Sequence, residues 1–301
     1  MPRDGFLNLL KPPGMTSHDA VALIRAGLRT RKVGHLGTLD PAAAGVLPLS
    51  VGRATRLFDF VAGGGKSYRA EITFGITTDT LDADGLVMGA DDCSTLTRVA
   101  LLDLLPRFVG EIEQIPPAFS AVQVEGKRLH SLARKGEAPT VKARKVRVHS
   151  IDLVGFWPGP RARSLVDVVC ETGTYIRVLA ADLGAAIGCG AYLSFLLRTR
   201  SGRFELQDSL TLEECQAAYD QGDPTSRVLP IDWPLQHLAP VELDAANARR
   251  FGQGTPALSE EQPAEAVRVY GPSRQLLGIG AVSEGHLRPR VVVAGAEEAE
   301  P

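Results

Sequence analysis

Asp40 is the single carboxylate in GHLGTLDPAAAGVLPLSVG, residues 34–52, a stretch otherwise made of glycines, alanines and aliphatics with a few polar residues. An acid among apolar neighbours is short of solvation and stays ionised only beside a cation. Such an anion can act as a nucleophile or meet positive charge at a sugar carbon. Pro41 drives Asp40 toward extended backbone and so aims its side chain. Gly34, Gly37 and Gly45 permit positive φ and close approach of another backbone. Many loop aspartates merely cap a helix or organise a turn, and this stretch alone leaves both readings open.

The elements around it follow from pattern. Thr16 and Asp19 fit a capping box before HDAVALIRAGLR, a helix with Val21, Ile24 and Leu28 on one face. The glycine-rich stretch is a loop that runs into a strand near Val46–Val51. RATRLFDFV reads as a helix. KSYRAEITFG alternates, with Tyr68, Ala70, Ile72 and Phe74 on one face of a strand. LTRVALLDLLPRFVG is amphipathic. VEGKR suggests a hairpin turn, and HSLARKG a short helix. Strands follow at KVRVHSIDLVGF and SLVDVVCET, then a helix at TYIRVLAADLGAAIG and a strand at AYLSFLLRT. Thr211 and Glu214 fit a second capping box. Residues 221–240, rich in proline and polar side chains, read as a linker. Short β-like runs then predict a small second domain.

A chain of 301 residues, 44% hydrophobic and 23% charged, has the composition of a soluble globular protein. Neither a signal peptide nor a membrane span is expected. Four cysteines without a CxxC predict reduced thiols in a cytoplasmic protein. The net charge of −2 conceals a basic segment: residues 121–150 hold eight Lys and Arg against two Glu, a net of +6. That suits a polyanion contact, or a solvated loop.

Two motifs fail on inspection. AGGGKSY has Phe60 where a phosphate loop needs its first glycine. TLDADGLVMGAD begins on Thr80 and ends on Asp91 where a calcium loop needs Asp and Glu, so it reads as a polar turn. The six histidines never pair at i, i+4, so no metal site is expected.

Several blocks occur in order: KPPGMTS (11–17), GHLGTLDPAAAGVLP (34–48), KSYRAEITFG (66–75), GTYIRVLAADLG (173–184) and LLRTRSGRF (196–204). Together they resemble the TruB family of pseudouridine synthases, which act on the T-loop uridine of tRNA. TTDTLDADG (77–85), PPAFSAVQVEGKRLHSLARKGE (116–137) and the final domain extend the resemblance over nearly the whole chain. It implies an α+β pseudouridine synthase fold with a mixed, largely antiparallel central sheet, over residues 1–230. It also implies a basic RNA-binding insertion at about 118–148, a PUA-like β-barrel over 237–295 and a disordered tail at 296–301.

The resemblance implies Asp40 as catalytic residue, Tyr68 as the active-site tyrosine and Arg177 as the arginine paired with the aspartate. His35 matches the histidine that holds the rearranged RNA loop. Gly37, Thr38, Leu39, Lys11, Arg198, Lys127 and Arg128 fall among the substrate-binding positions. Leu36 and Leu197 depart from residues common in the family.

The implied reaction breaks the N1–C1′ bond of uridine 55 and joins C5 to C1′, with no redox change and no cofactor. Asp40 would be the anion, and Val46, Leu47 and Tyr68 the walls around the turning uracil. Tyr68 as acceptor of the C5 proton would need its phenol tuned downward, since an ordinary one has a pKa of about 10. Arg29, Arg31 and Lys32 are further phosphate contacts. The partner would be the tRNA T-stem-loop, with no membrane and no obligate protein partner, for a monomer. The final module would aid affinity and stand apart from the chemistry. A non-catalytic RNA-binding or chaperone protein is the alternative. A glycosidase-like hydrolase would need a second carboxylate about 5–9.5 Å from Asp40.

Overall fold

The computed structural model describes residues 4–61, 64–117, 123–124, 127–128 and 141–294. The sequence-predicted disordered tail and the helix at HSLARKG lie outside them. In the larger, N-terminal part the strands are β1 (Gly5–Lys11), β2 (Val33–His35), β3 (Ala44–Val51), β4 (Lys66–Phe74), β5 (Ile76–Thr78), β6 (Val87–Ala90) and β7 (Gly110–Gln114). They continue with β8 (Gln123–Val124), β9 (Lys127–Arg128), β10 (Arg144–Trp157), β11 (Arg163–Cys170), β12 (Ala191–Ser201), β13 (Phe204–Glu205) and β14 (Leu229–Pro230). The helices are α1 (Ser17–Gly27), α2 (Phe58–Val61), α3 (Arg98–Leu104), α4 (Ile176–Ile187) and α5 (Leu212–Asp220).

Ten strands form one sheet in the order β14-β1-β3-β12-β4-β11-β10-β7, with β2 on β3 and β13 on β12. Its pairs are antiparallel except β3 with β12, so the sheet is mixed and largely antiparallel, as expected. Every second residue of β4 is buried, Tyr68 through Phe74, and these join the main core. Both capping boxes form: Thr16 with Asp19 starts α1, and Thr211 with Glu214 starts α5. RATRLFDFV differs from its reading as one helix, since Gly52–Leu57 is a 3-10 segment that turns α-helical only at Phe58. The residues flanking the predicted VEGKR turn pair antiparallel, with Val124 opposite Lys127.

Two expectations need correction. Cys93 and Cys189 are joined in a disulfide, their Cα atoms 5.9 Å apart and 96 residues apart in sequence. Cys93 precedes α3 and Cys189 follows α4, and only tertiary packing brings them together; Cys170 and Cys215 remain free and buried. The linker is also more than a connection. Leu229 and Pro230 pair with Phe6 and Gly5 as edge strand β14, and the Trp233 ring lies 5.2 Å from Phe204.

The second domain holds β15 (Ala239–Glu242), α6 (Ala245–Gly252), β16 (Ala257–Leu258), β17 (Ala264–Tyr270), β18 (Leu276–Ser283) and β19 (His286–Val292). The strand path β15-β17-β18-β19-β16 curls into a half-barrel, in keeping with the small β-domain expected from the sequence. One hydrophobic cluster spans both domains: Phe6, Val46, Leu57 and Phe204 pack with Leu276, Ile279 and Val293. A chain ending at Leu238 should therefore lose stability, at about 1.5–3 kcal/mol for each of those three burials. A melting temperature equal to that of the full chain would show that the shared core contributes nothing.

Candidate active site

The Asp40 loop is pinned from three separate elements. The Ser17 hydroxyl, at the start of α1, donates to the Leu39 carbonyl and accepts from the Leu39 amide, both at 2.9 Å. Lys11, at the end of β1, donates to the carbonyls of Pro12 and Met15 at 2.8 Å and of Pro41 at 3.3 Å. Arg198, on β12, donates to Val46 at 2.7 Å, Gly37 at 3.0 Å and Thr38 at 3.3 Å. Gly45 makes the β12 approach possible. Its φ is +115°, and a Cβ there would stand 2.2 Å from the Arg198 carbonyl oxygen.

These contacts revise several sequence-predicted roles. Lys11 and Arg198 have no exposed surface, and Leu39 is in the core. Basic residues expected on the RNA surface are interior struts that fix the loop. Val46 and Leu47 are fully covered and are core, not pocket wall. Thr38 remains exposed, and so do Arg29, Arg31 and Lys32. The backbones of Lys127 and Arg128 form β9.

The chemistry centres on Arg177. It is the second residue of α4, a place where a cation opposes the helix dipole. Two carboxylates hold it there: Asp40 at 3.5 Å and Asp82 at 3.3 Å. Arg177 is 5% exposed, whereas the Asp40 side chain is 38% exposed, so the pair has one open side, on the carboxylate. Burial raises the Asp40 carboxyl above its ordinary value; Arg177 pulls it back, Asp82 and Asp84 push it up, and Lys11 pulls it down.

Asp82 is the residue that sequence reasoning passed over. It lies in the TLDADG turn, buried, and that turn bonds to β12 through the Leu193 amide and the Leu81 carbonyl. One Asp82 oxygen takes the Thr80 hydroxyl at 2.6 Å and the Asp84 amide at 3.1 Å; the other takes Arg177. The signal was DADG itself, read only for calcium spacing. Since both its oxygens are engaged, Asp82 is not a free acid of the kind a hydrolase needs.

Asp82→Asn should lower turnover, about 10²-fold if Arg177 shifts by an ångström. It should also move the acid limb of the rate profile to lower pH, because a charge that raises Asp40 is gone. The acid limb arises because activity needs ionised Asp40 and is lost as pH falls through its raised pKa. Single-turnover rates across pH check this; a limb shifted to higher pH would refute it.

Tyr68 is buried on β4, and its hydroxyl faces Arg198. Burial raises the phenol above its ordinary value and Arg198 only partly reverses this, so the hydroxyl gives up its proton less readily than a free tyrosine. The His35 ring stands edge-on to His18 at 5.4 Å. Burial lowers its pKa, and its Nδ1 has no hydrogen-bond partner among the described residues. No group of three potential metal ligands occurs among the described residues, and no helix there is long and apolar enough to cross a membrane.

The fold and this site define a pseudouridine synthase. A solved structure titled "Crystal Structure of a Cbf5-Nop10-Gar1 Complex" superimposes with a TM-score of 0.74 at 25% identity, over 99% of this chain and 87% of that one. Residues 25–176 match the "TruB family pseudouridylate synthase (N terminal domain)". Residues 177–242 match the "tRNA pseudouridylate synthase B C-terminal domain", and 239–293 match "Pseudouridine synthase II TruB, C-terminal". A curated tRNA pseudouridine synthase B of Symbiobacterium thermophilum is 52% identical over 83% of this chain and 82% of its own. One from Synechococcus elongatus is 47% identical over 98% and 99%. The chain belongs to the TruB family of pseudouridine synthases.

Proposed function

We propose that this protein isomerises uridine to pseudouridine in tRNA, at position 55 of the T-loop, without a cofactor. The observation that carries the reading is the Asp40–Arg177 pair, rigidly held and open on the carboxylate side. The uridine is flipped out of its stack at a cost of a few kcal/mol. Asp40 supplies negative charge at C1′ as the bond to N1 breaks. The detached uracil turns, C5 bonds to C1′, the C5 proton leaves to solvent and the freed N1 takes up a proton from solvent, so the product is an isomer of the substrate with no change of oxidation state. Arg177 orients Asp40 and opposes its protonation. Tyr68 serves as a packing surface for the base, since burial keeps its phenol protonated. His35, kept neutral by burial, replaces stacking lost from the RNA loop.

Exposed Arg29, Arg31 and Lys32, the 118–148 segment with Lys127 and Arg128, and the PUA-like final domain would meet tRNA phosphates. The protein would act in the cytoplasm as a monomer, with no Nop10-like or Gar1-like partner.

The test uses unmodified tRNA carrying tritium at uridine C5. Tritium release with pseudouridine at position 55 is expected. Binding without release would favour a non-catalytic RNA-binding protein, and free uracil would favour a hydrolase.

A further inference from the structure

Three cations lose solvation beside the Asp40 loop. Lys11 and Arg198 are engaged by backbone carbonyls. The Lys66 ammonium differs, with no hydrogen-bond or ion-pair partner among the described residues. It opens β4 two residues before Tyr68, so both side chains leave the same face of the sheet. Its ammonium lies against the loop: a Cβ built on Gly37 would stand 3.1 Å from Lys66 Nζ and 3.8 Å from Arg198 Nη1. Gly37, at φ +124°, thus leaves the space the ammonium occupies.

Burial, helped by the Arg198 charge and slightly opposed by Cys170, lowers the Lys66 pKa to about 8. Holding a half-buried cation without a counter-charge costs free energy. The nearby acids are committed, since Asp40 and Asp82 share Arg177. What this corner lacks is an anion, and tRNA, the substrate of the proposed function, is a polyanion.

We propose that Lys66 is an RNA phosphate site, its ammonium holding one backbone phosphodiester next to the uridine that meets Asp40. The proposal rests on the reading of the cleft as an RNA site. An ammonium on a flexible stem suits this task as a point charge.

The experiment compares full-length wild type with Lys66→Met and Lys66→Gln on a T-stem-loop hairpin. Affinity is measured across a range of salt, and neutral methylphosphonates replace one loop linkage at a time. Both variants should bind more weakly, with the slope of log affinity against log salt shallower by about 0.7–0.9, one phosphate's worth. One methylphosphonate should weaken wild type and leave Lys66→Met unaffected. Melting temperatures should equal or exceed that of wild type, because an unpaired charge is removed. Unchanged salt slopes, or methylphosphonates that affect wild type and variants alike, would overturn the proposal. So would lost turnover with binding and slope intact, which would put Lys66 in the chemistry. A wild type that binds the hairpin but makes no pseudouridine would sink the function reading and leave the Lys66 binding result standing.

Discussion

Asp40→Asn is expected to lower pseudouridine formation by at least about 10⁴-fold, the scale seen when a central catalytic group is removed. RNA binding should persist, because the substitution keeps the side chain's shape and Arg177 keeps Asp82 at 3.3 Å. Stability should hold or rise. Burial lifts the Asp40 carboxyl above its unfolded value. An acid shifted that way binds protons more readily when folded, so its ionisation costs stability once pH exceeds both values. At neutral pH, asparagine removes that cost. Tritium release, RNA affinity and melting temperature on the same preparation test the three parts. Retained release would remove Asp40 from the mechanism; a lower melting temperature would make it a structural residue.

Arg177→Met is expected to damage the fold and the reaction together. It leaves Asp82 buried with its main counter-charge gone, a loss of about 3–5 kcal/mol for a broken buried pair. Asp40 loses the cation that opposes its protonation, so any remaining activity should have its acid limb at higher pH, the reverse of Asp82→Asn. Arg177→Lys should recover only part, since a single ammonium replaces a planar fork that meets two carboxylates. The double variant Arg177→Met/Asp82→Asn separates the effects. With Arg177 and Asp82 both neutralised, most of the stability should return, while the lost activity should not. Activity that returned along with stability would show that Arg177 only supports the fold. Denaturant unfolding and single-turnover rates measure the two halves.

The strand pattern and both capping boxes were legible in the sequence, and the pairing of Asp40 with Arg177 through the family resemblance. Alternation marks a half-buried strand such as β4 without help from the rest of the chain. A cation near a helix start fits an arginine held by a carboxylate, but it was the family resemblance that paired Arg177 with Asp40. Lys11 and Arg198 misled because lysine and arginine are mostly exposed, and nothing local shows that carbonyls of a distant loop enclose them. Asp82 was hidden for a related reason: its turn is polar in sequence, and its partner is 95 residues away. Cys93 and Cys189 likewise meet only through packing.

The edge strand Leu229–Pro230 and the hydrophobic cluster shared across the two domains turn a connection into a weld. A hinge would let the final module search for RNA, at an entropic cost on each capture. A weld sets the distance between that module and Asp40 before any RNA arrives. For a substrate that touches both, the protein works as a caliper. An RNA that had to touch both would have to match that fixed span.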